Sequence, residues 1–317
     1  MIYEIRKVQE IGNSLYIALP KEWVRKLKLK KGSLVRLSID PRGALIVTPI
    51  DIELEKSSEI ILDVSRFPNL TRAIVRSYLL GYDIIRVYSR NGITLEHKDA
   101  ARKACSILLG LGVIDERKDM LTLQVFTTTR IELEELIYKV NTIAISMYTD
   151  LYNTLKKPLK EMLHSIISRD ETLDKLYFYG VRVIRGYMKS YHPKISSIKL
   201  LTYRLLLKNL EEIGDQAKKT AKVMLNYVRL NNNIVDRIRE ETELFEDFIK
   251  RLSHLHNIAF KAVLTEDYVK AEKCFIEYGL LRSLLIDSLR KCSKETRNIM
   301  RGYRSILDLV GDIVDLV

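Results

Sequence analysis

Two stretches of the sequence set paired carboxylates one helical turn apart. Leu210-Glu211-Glu212-Ile213-Gly214-Asp215 and Leu307-Asp308-Leu309-Val310-Gly311-Asp312 share a pattern at an offset of 97 residues. Glu211 and Asp215 are i, i+4 and lie on one helical face, as do Asp308 and Asp312. Carboxylates so spaced repel each other unless a cation stands between them, and hard cations take several carboxylate oxygens. A glycine inside a helix costs about 1 kcal/mol against alanine. Its presence before the second acid in both copies therefore asks for a reason: close approach of another helix, or room for a ligand. The bland alternative is a pair of solvated acids on an exposed face. The same offset carries Asp170 onto Asp267, each read as opening a helix after a short turn, and also Arg185 onto Arg282 and Arg204 onto Arg301. A constant offset over that span predicts an internal duplication.

A second kind of chemistry gathers at the other end. Residues 1–50 hold ten Lys and Arg against four Asp and Glu, a net of +6. That is half of the chain's formal charge of +12 in under a sixth of its 317 residues. Such a basic balance points to a polyanionic partner, nucleic acid first. Lys26, Lys28, Lys30 and Lys31 are available for phosphate contacts, and a solvated loop is the alternative reading of that cluster.

The elements that must position these groups fall into three regimes. Residues 1–50 read as strand, turn at Gly12-Asn13-Ser14, strand, short helix around Trp23, then two more strands joined by the turn Asp40-Pro41-Arg42-Gly43. Such a segment is too small to make a comfortable core on its own. Residues 51–130 read as a small α/β layer, with strands over 60–64, 84–88, 113–114 and 121–126 and helices over 68–80 and 98–111. Residues 131–317 have helical periodicity with breaks at Pro158 and Pro193, enough for six helices of ~25 residues. The duplication divides them into three-helix units at 131–230 and 231–317.

Other classes are disfavoured. No uncharged apolar run approaches the ~18 residues of a spanning helix. The start, Met1 to Arg6, carries an acid and no apolar signal core, so no secretory signal is expected. Three cysteines, Cys105, Cys274 and Cys292, fit a reducing cytoplasm better than a disulfide framework. His254 and His256 are two apart and poorly placed as co-ligands. With no nucleophile–base arrangement and no Gly-rich phosphate loop in the sequence, an enzyme is not expected.

Two stretches resemble known families. Leu210 to Ala217 resembles the helix signature of PhoU-type phosphate-uptake regulators, and the tandem three-helix units are similar to that family's architecture. The resemblance implies that Glu211, Asp215, Asp308 and Asp312 ligate divalent or iron-type metal ions. It also implies acids at the openings of the second helices, which Asp170 and Asp267 match. Asp308 stands where the family usually has glutamate, and Gln216 and Ile313 replace a frequent histidine. Gly12-Asn13-Ser14-Leu15-Tyr16-Ile17-Ala18-Leu19-Pro20-Lys21-Glu22-Trp23, with Leu29 and Gly32, resembles the SpoVT/AbrB–MazE swapped-hairpin DNA-binding domain. That likeness implies a β-barrel interleaved from two chains, hence a homodimer, with DNA contacts at Arg6, Lys7, Asn13, Ser14 and Lys21. The two domains in series are similar to the archaeal form of the phosphate-uptake regulator. The expectation is thus a multidomain α+β protein: a swapped-hairpin barrel (1–50), an α/β domain (51–130) and tandem PhoU-like three-helix bundles. Its expected role is that of a cytoplasmic DNA-binding regulator of phosphate uptake. The alternative is a regulator that docks on a phosphate transporter ATPase or a signalling protein without binding DNA.

Overall fold

The computed structural model of the chain describes residues 4–39, 43–49, 58–126, 131–156, 160–189, 195–230 and 232–317. The turn at Asp40-Pro41-Arg42, the breaks at Pro158 and Pro193 and the proposed junctions at 50/51 and 130/131 lie outside the described residues or at their margin. The chain forms two compact units, 1–57 and 58–317.

The first unit is built from two hairpins and one short helix. Strands β1 (Gln9–Ile11) and β2 (Ser14–Tyr16) pair antiparallel, with Gln9 opposite Tyr16. Gly12, at φ +64°, makes the turn between them in a conformation that glycine adopts at little cost. Helix α1 (Lys21–Lys26) follows Pro20, and strands β3 (Val35–Ile39) and β4 (Leu45–Pro49) form the second hairpin. No described residue of this unit is buried. Ile5, Leu15 and Ile39 are 99%, 75% and 73% exposed. Its described residues have secondary structure but form no core of their own.

The second unit opens with an α/β layer. Strands β5 (Glu59–Asp63), β6 (Ile84–Tyr88), β7 (Leu111–Glu116) and β8 (Met120–Val125) form a sheet in the order β5-β6-β8-β7. β5 and β6 are parallel, and β8 is antiparallel to its neighbours. Helices α2 (Leu70–Leu79) and α3 (Leu95–Ile107) supply the core partners of the sheet: Ile74, Tyr78, Ala101 and Ala104 cluster with Leu62, Ile85, Val87, Leu121 and Leu123. The expected helix over 98–111 is corrected at both ends. Thr94 caps α3 together with His97, and the chain turns at Gly110, at φ +76°, so that Leu111 opens a strand.

Among the described residues seven helices follow: α4 (Leu133–Lys156), α5 (Lys160–Lys189), α6 (Ser197–Leu230), α7 (Asn232–Thr242), α8 (Glu246–Thr265), α9 (Tyr268–Arg290) and α10 (Lys294–Val314). α7 is one more than the six expected. α4, α5 and α6 make the first three-helix unit, and α8, α9 and α10 the second. The two share one continuous core, in which α6 packs on α10 and α4 on α8. Across that seam the Tyr303 hydroxyl donates to the carbonyl of Tyr148 at 2.8 Å, and the Tyr148 hydroxyl meets His256 Nδ1 at 3.3 Å.

The α/β layer is fastened to α5. Arg182 donates to the carbonyls of Tyr78 at 2.6 Å and Tyr82 at 2.9 Å and to Asp83 at 2.6 Å. Its guanidinium also lies 4.9 Å from the centre of the Tyr78 ring. Lys189 reaches the carbonyl of Leu80. These carbonyls lie at and just beyond the C-terminal end of α2, where cations are favoured.

Candidate functional site: two acidic motifs and a basic hairpin unit

The acidic motifs lie on α6 and α10, the third helix of each three-helix unit. Their glycines have a packing role. A Cβ on Gly214 would collide with the Leu173 side chain, and one on Gly311 would come 3.0 Å from the Tyr278 ring. Close approach of the second helix, rather than room for a ligand, accounts for both.

Those contacts also correct the offset. Gly214 meets Leu173 and Gly311 meets Tyr278, which stands 105 residues later rather than 97. The second helices are therefore slipped by about two turns relative to the motifs. The connection from second to third helix is seven residues in the first unit and three in the second, so one offset cannot hold throughout. Asp267 does cap the N-terminus of α9, accepting from the Lys270 N–H. Asp170 does not open a helix. It lies ten residues inside α5 and is 1% exposed.

The two motifs have different electrostatics. In the first, Lys218 Nζ pairs with the buried Asp170 carboxylate and stands 3.6 Å from Asp215, while Lys219 stands 3.4 Å from Asp215. Lys208 Nζ lies 2.7 Å from Glu211 and 2.9 Å from Glu212. Asp174 sits among these acids. Burial, reinforced by Asp170 and Glu211, pushes its carboxyl up to about 6. Burial works against the Lys208 ammonium, but hydrogen bonds to Glu211 and Glu212 outweigh it and raise its pKa.

In the second motif the Tyr278 hydroxyl donates to Asp308 at 3.1 Å. Asp308, Asp312 and Asp315 share a shallow cavity of about 70 Å³ with Phe275, Tyr278 and Gly311. Burial raises the Asp312 carboxyl, helped by Asp315, Asp308 and Glu212 on the neighbouring α6. No ion pair is formed by Asp308, Asp312 or Asp315 among the described residues. The motifs are thus not the equivalent patches that the repeat implied.

As a metal centre the first motif fits poorly, because ammonium groups already stand on its carboxylates. Among the described residues no three His, Cys, Asp or Glu side chains converge as ligands. The second motif offers two or three carboxylates on one helix, the arrangement that suits a cation which keeps much of its water.

In the first unit every nucleic-acid candidate is exposed: Arg6, Lys7, Asn13, Ser14 and Lys21. Asn13 forms the β1–β2 turn with Gly12 and Ser14 opens β2, while Arg6 and Lys7 precede the open end of the hairpin. The three-residue ladder between them spans roughly 10 Å. Arg6 is paired with Glu4. Lys21 begins α1 and lines an open groove of about 550 Å³ with Arg25, Lys28 and Lys30 around Leu19, Val24 and Leu29. Arg25 was not among the expected contacts. Its one signal in the sequence is its place one helical turn after Lys21.

Comparison with known proteins adds two matches. Residues 137–224 match the family model of the PhoU domain, and residues 8–55 match that described as antidote-toxin recognition MazE, bacterial antitoxin. The architecture is a MazE-like segment followed by a PhoU-like helical region. The PhoU match spans α4 to α6 short of its C-terminal end and therefore contains the first acidic motif only. No curated protein and no solved structure matches the chain. Among the described residues no helix is long and apolar enough to cross a membrane.

Proposed function

We propose that this chain is a dimeric, DNA-binding regulator of phosphate uptake and homeostasis. The observation that carries the proposal is the combination found in the MazE-like unit: a net charge of +6 on residues 1–50 together with apolar side chains that find no core. A second copy supplies the missing core. Interleaved hairpins would bury Ile5, Leu15, Ile39 and their neighbours, each worth about 1.5–3 kcal/mol when fully buried. Arg6, Lys7 and Lys21 then hold phosphates, and Asn13 in the turn and Ser14 beside it approach the duplex. A DNA partner places the protein in the cytoplasm.

The PhoU-like region carries the phosphate side of the proposal and the sensing function. A hydrated divalent cation is held at Asp308 and Asp312, the motif whose acids have no ammonium on them. The region also docks a protein partner, a phosphate transporter ATPase or a signalling protein. The outer face of α9 supports this docking, because Val269, Phe275, Ile276, Leu280 and Ile286 are exposed there while α5 is covered by α2 and α3. That face also favours the second reading, a docking regulator that does not bind DNA.

The test is the salt dependence of duplex binding. Arg6→Ala and Lys21→Ala should each lower the slope of log K against log salt by about one. Lys261→Ala on α8 should leave it unchanged. Equal losses for all three variants would show diffuse charge rather than a site, and no duplex binding by the wild type would favour docking alone.

A further inference from the structure

The helices of the first motif bring four acids together: Asp170 and Asp174 from α5, Glu211 and Asp215 from α6. Four carboxylates in a partly buried place demand cations, and α6 supplies them from its own sequence. Lys218 lies one turn after Asp215 and reaches across to the buried Asp170. Lys208 lies one turn before Glu211 and grips Glu211 and Glu212 together. Lys219 adds a contact to Asp215. Along the third helices, where the offset of 97 does hold, these three lysines correspond to Ser305, Asp315 and Leu316. The second motif has therefore lost every one of these ammonium groups, and at one position the charge is reversed.

We propose that Lys218, supported by Lys208, is the resident cation of the first motif: its ammonium takes the place that the PhoU likeness gives to a metal, so the first half of the PhoU-like region binds no divalent cation. An ammonium is a permanent single charge at neutral pH, carries three donors and cannot dissociate from the chain. A divalent ion would have to displace Lys218 from Asp170 and leave that lysine partly buried without a partner. The duplication has produced two unlike halves, one with its counter-ion built in and one open to ions from solution. This inference concerns the first motif and stands whether or not Asp308 and Asp312 hold a cation.

The experiment is equilibrium dialysis of the full chain against Mn²⁺, with bound metal counted by elemental analysis. Wild type, Glu211→Gln and Asp215→Asn should bind the same number of ions per chain. The Lys208→Ala/Lys218→Ala variant should gain one, and adding Asp215→Asn to it should remove the gain. A count that falls by one in Asp215→Asn or Glu211→Gln alone would overturn the proposal. So would a lysine variant of unchanged helix content that gains no ion. If the lysine variant loses its helix content, the two acid variants decide the matter, since they leave every lysine in place. Asp312→Asn, run alongside, reports only on the second motif, so the cation reading proposed for that site can fail separately.

Discussion

The two units solve the problem of size in opposite ways. The helical region and the α/β layer bury large side chains completely: Tyr78, Tyr148, Tyr203 and Tyr303 are all at or near zero exposure. Below that region in the sequence, the MazE-like unit buries none of its described residues. Both have regular elements, so secondary structure alone does not make a stable body. What separates them is apolar area removed from water. A unit without a core depends on a partner, and its stability then depends on protein concentration.

The largest expected effect breaks that contrast directly. Removing residues 1–57 should leave a folded, helical protein with the melting behaviour of the second unit, and its mass in solution should fall to that of a monomer. Light scattering after gel filtration reads the result. An unchanged dimer would move the association to the helices, the exposed face of α9 being the first place to look.

Next come the motif glycines, which sharpen the comparison within the helical region. Gly214→Ala drives a methyl into Leu173, which is fully buried and has little room to turn. Overpacking of this kind costs about 1–3 kcal/mol, and the gain of about 1 kcal/mol in helix propensity offsets only part of it at a clash this close. Gly311→Ala meets the half-buried Tyr278 at 3.0 Å and gains about 1 kcal/mol of helix propensity, so it should be close to neutral. Denaturant unfolding distinguishes the two, and equal losses would contradict the packing account.

Smaller effects concern pH. His256 is buried as the neutral form, and burial alone pushes its pKa down to about 3 from 6.5. The unfolded chain takes up that proton first, so the stability it contributes is present above pH 6.5 and is lost as pH falls toward 3. Asp174 has the opposite sign. Its folded value of about 6 lies above the ordinary 3.8, so the native state holds its proton more tightly. Its contribution is fully present below pH 3.8 and is lost as pH rises through 6. Asp174→Asn should therefore raise the melting temperature by a few degrees at pH 7.5 and by less at pH 4.5. A larger gain at pH 4.5 would contradict the stated environment of Asp174.

Much of this was legible in the residues. The hairpins of the first unit follow from alternation and from Gly12, and the helical region from its period and its paired motifs. The end of α3 was not legible, because the apolar run from Ile107 to Ile114 carries no period, and both Gly110 and Gly112 offer a break. The slip of α9 against α5 was hidden for a different reason. A shift of about two turns keeps nearly the same face of a helix forward, so the pattern of apolar residues survives it. The lysines on the first motif were visible, but their role was not. Lys218 acts on Asp170, 48 residues away, and only the packing of α6 against α5 brings the two together.

The central claim is that the MazE-like unit is where this protein meets DNA. The most direct measurement titrates a labelled duplex with the full chain and with residues 58–317 over a series of salt concentrations. The full chain should bind with a steep salt dependence, a slope of several units for a dimer presenting Arg6, Lys7 and Lys21 twice. Residues 58–317 should show at least a hundredfold weaker binding. Binding by residues 58–317 with the same affinity and the same slope would contradict the account.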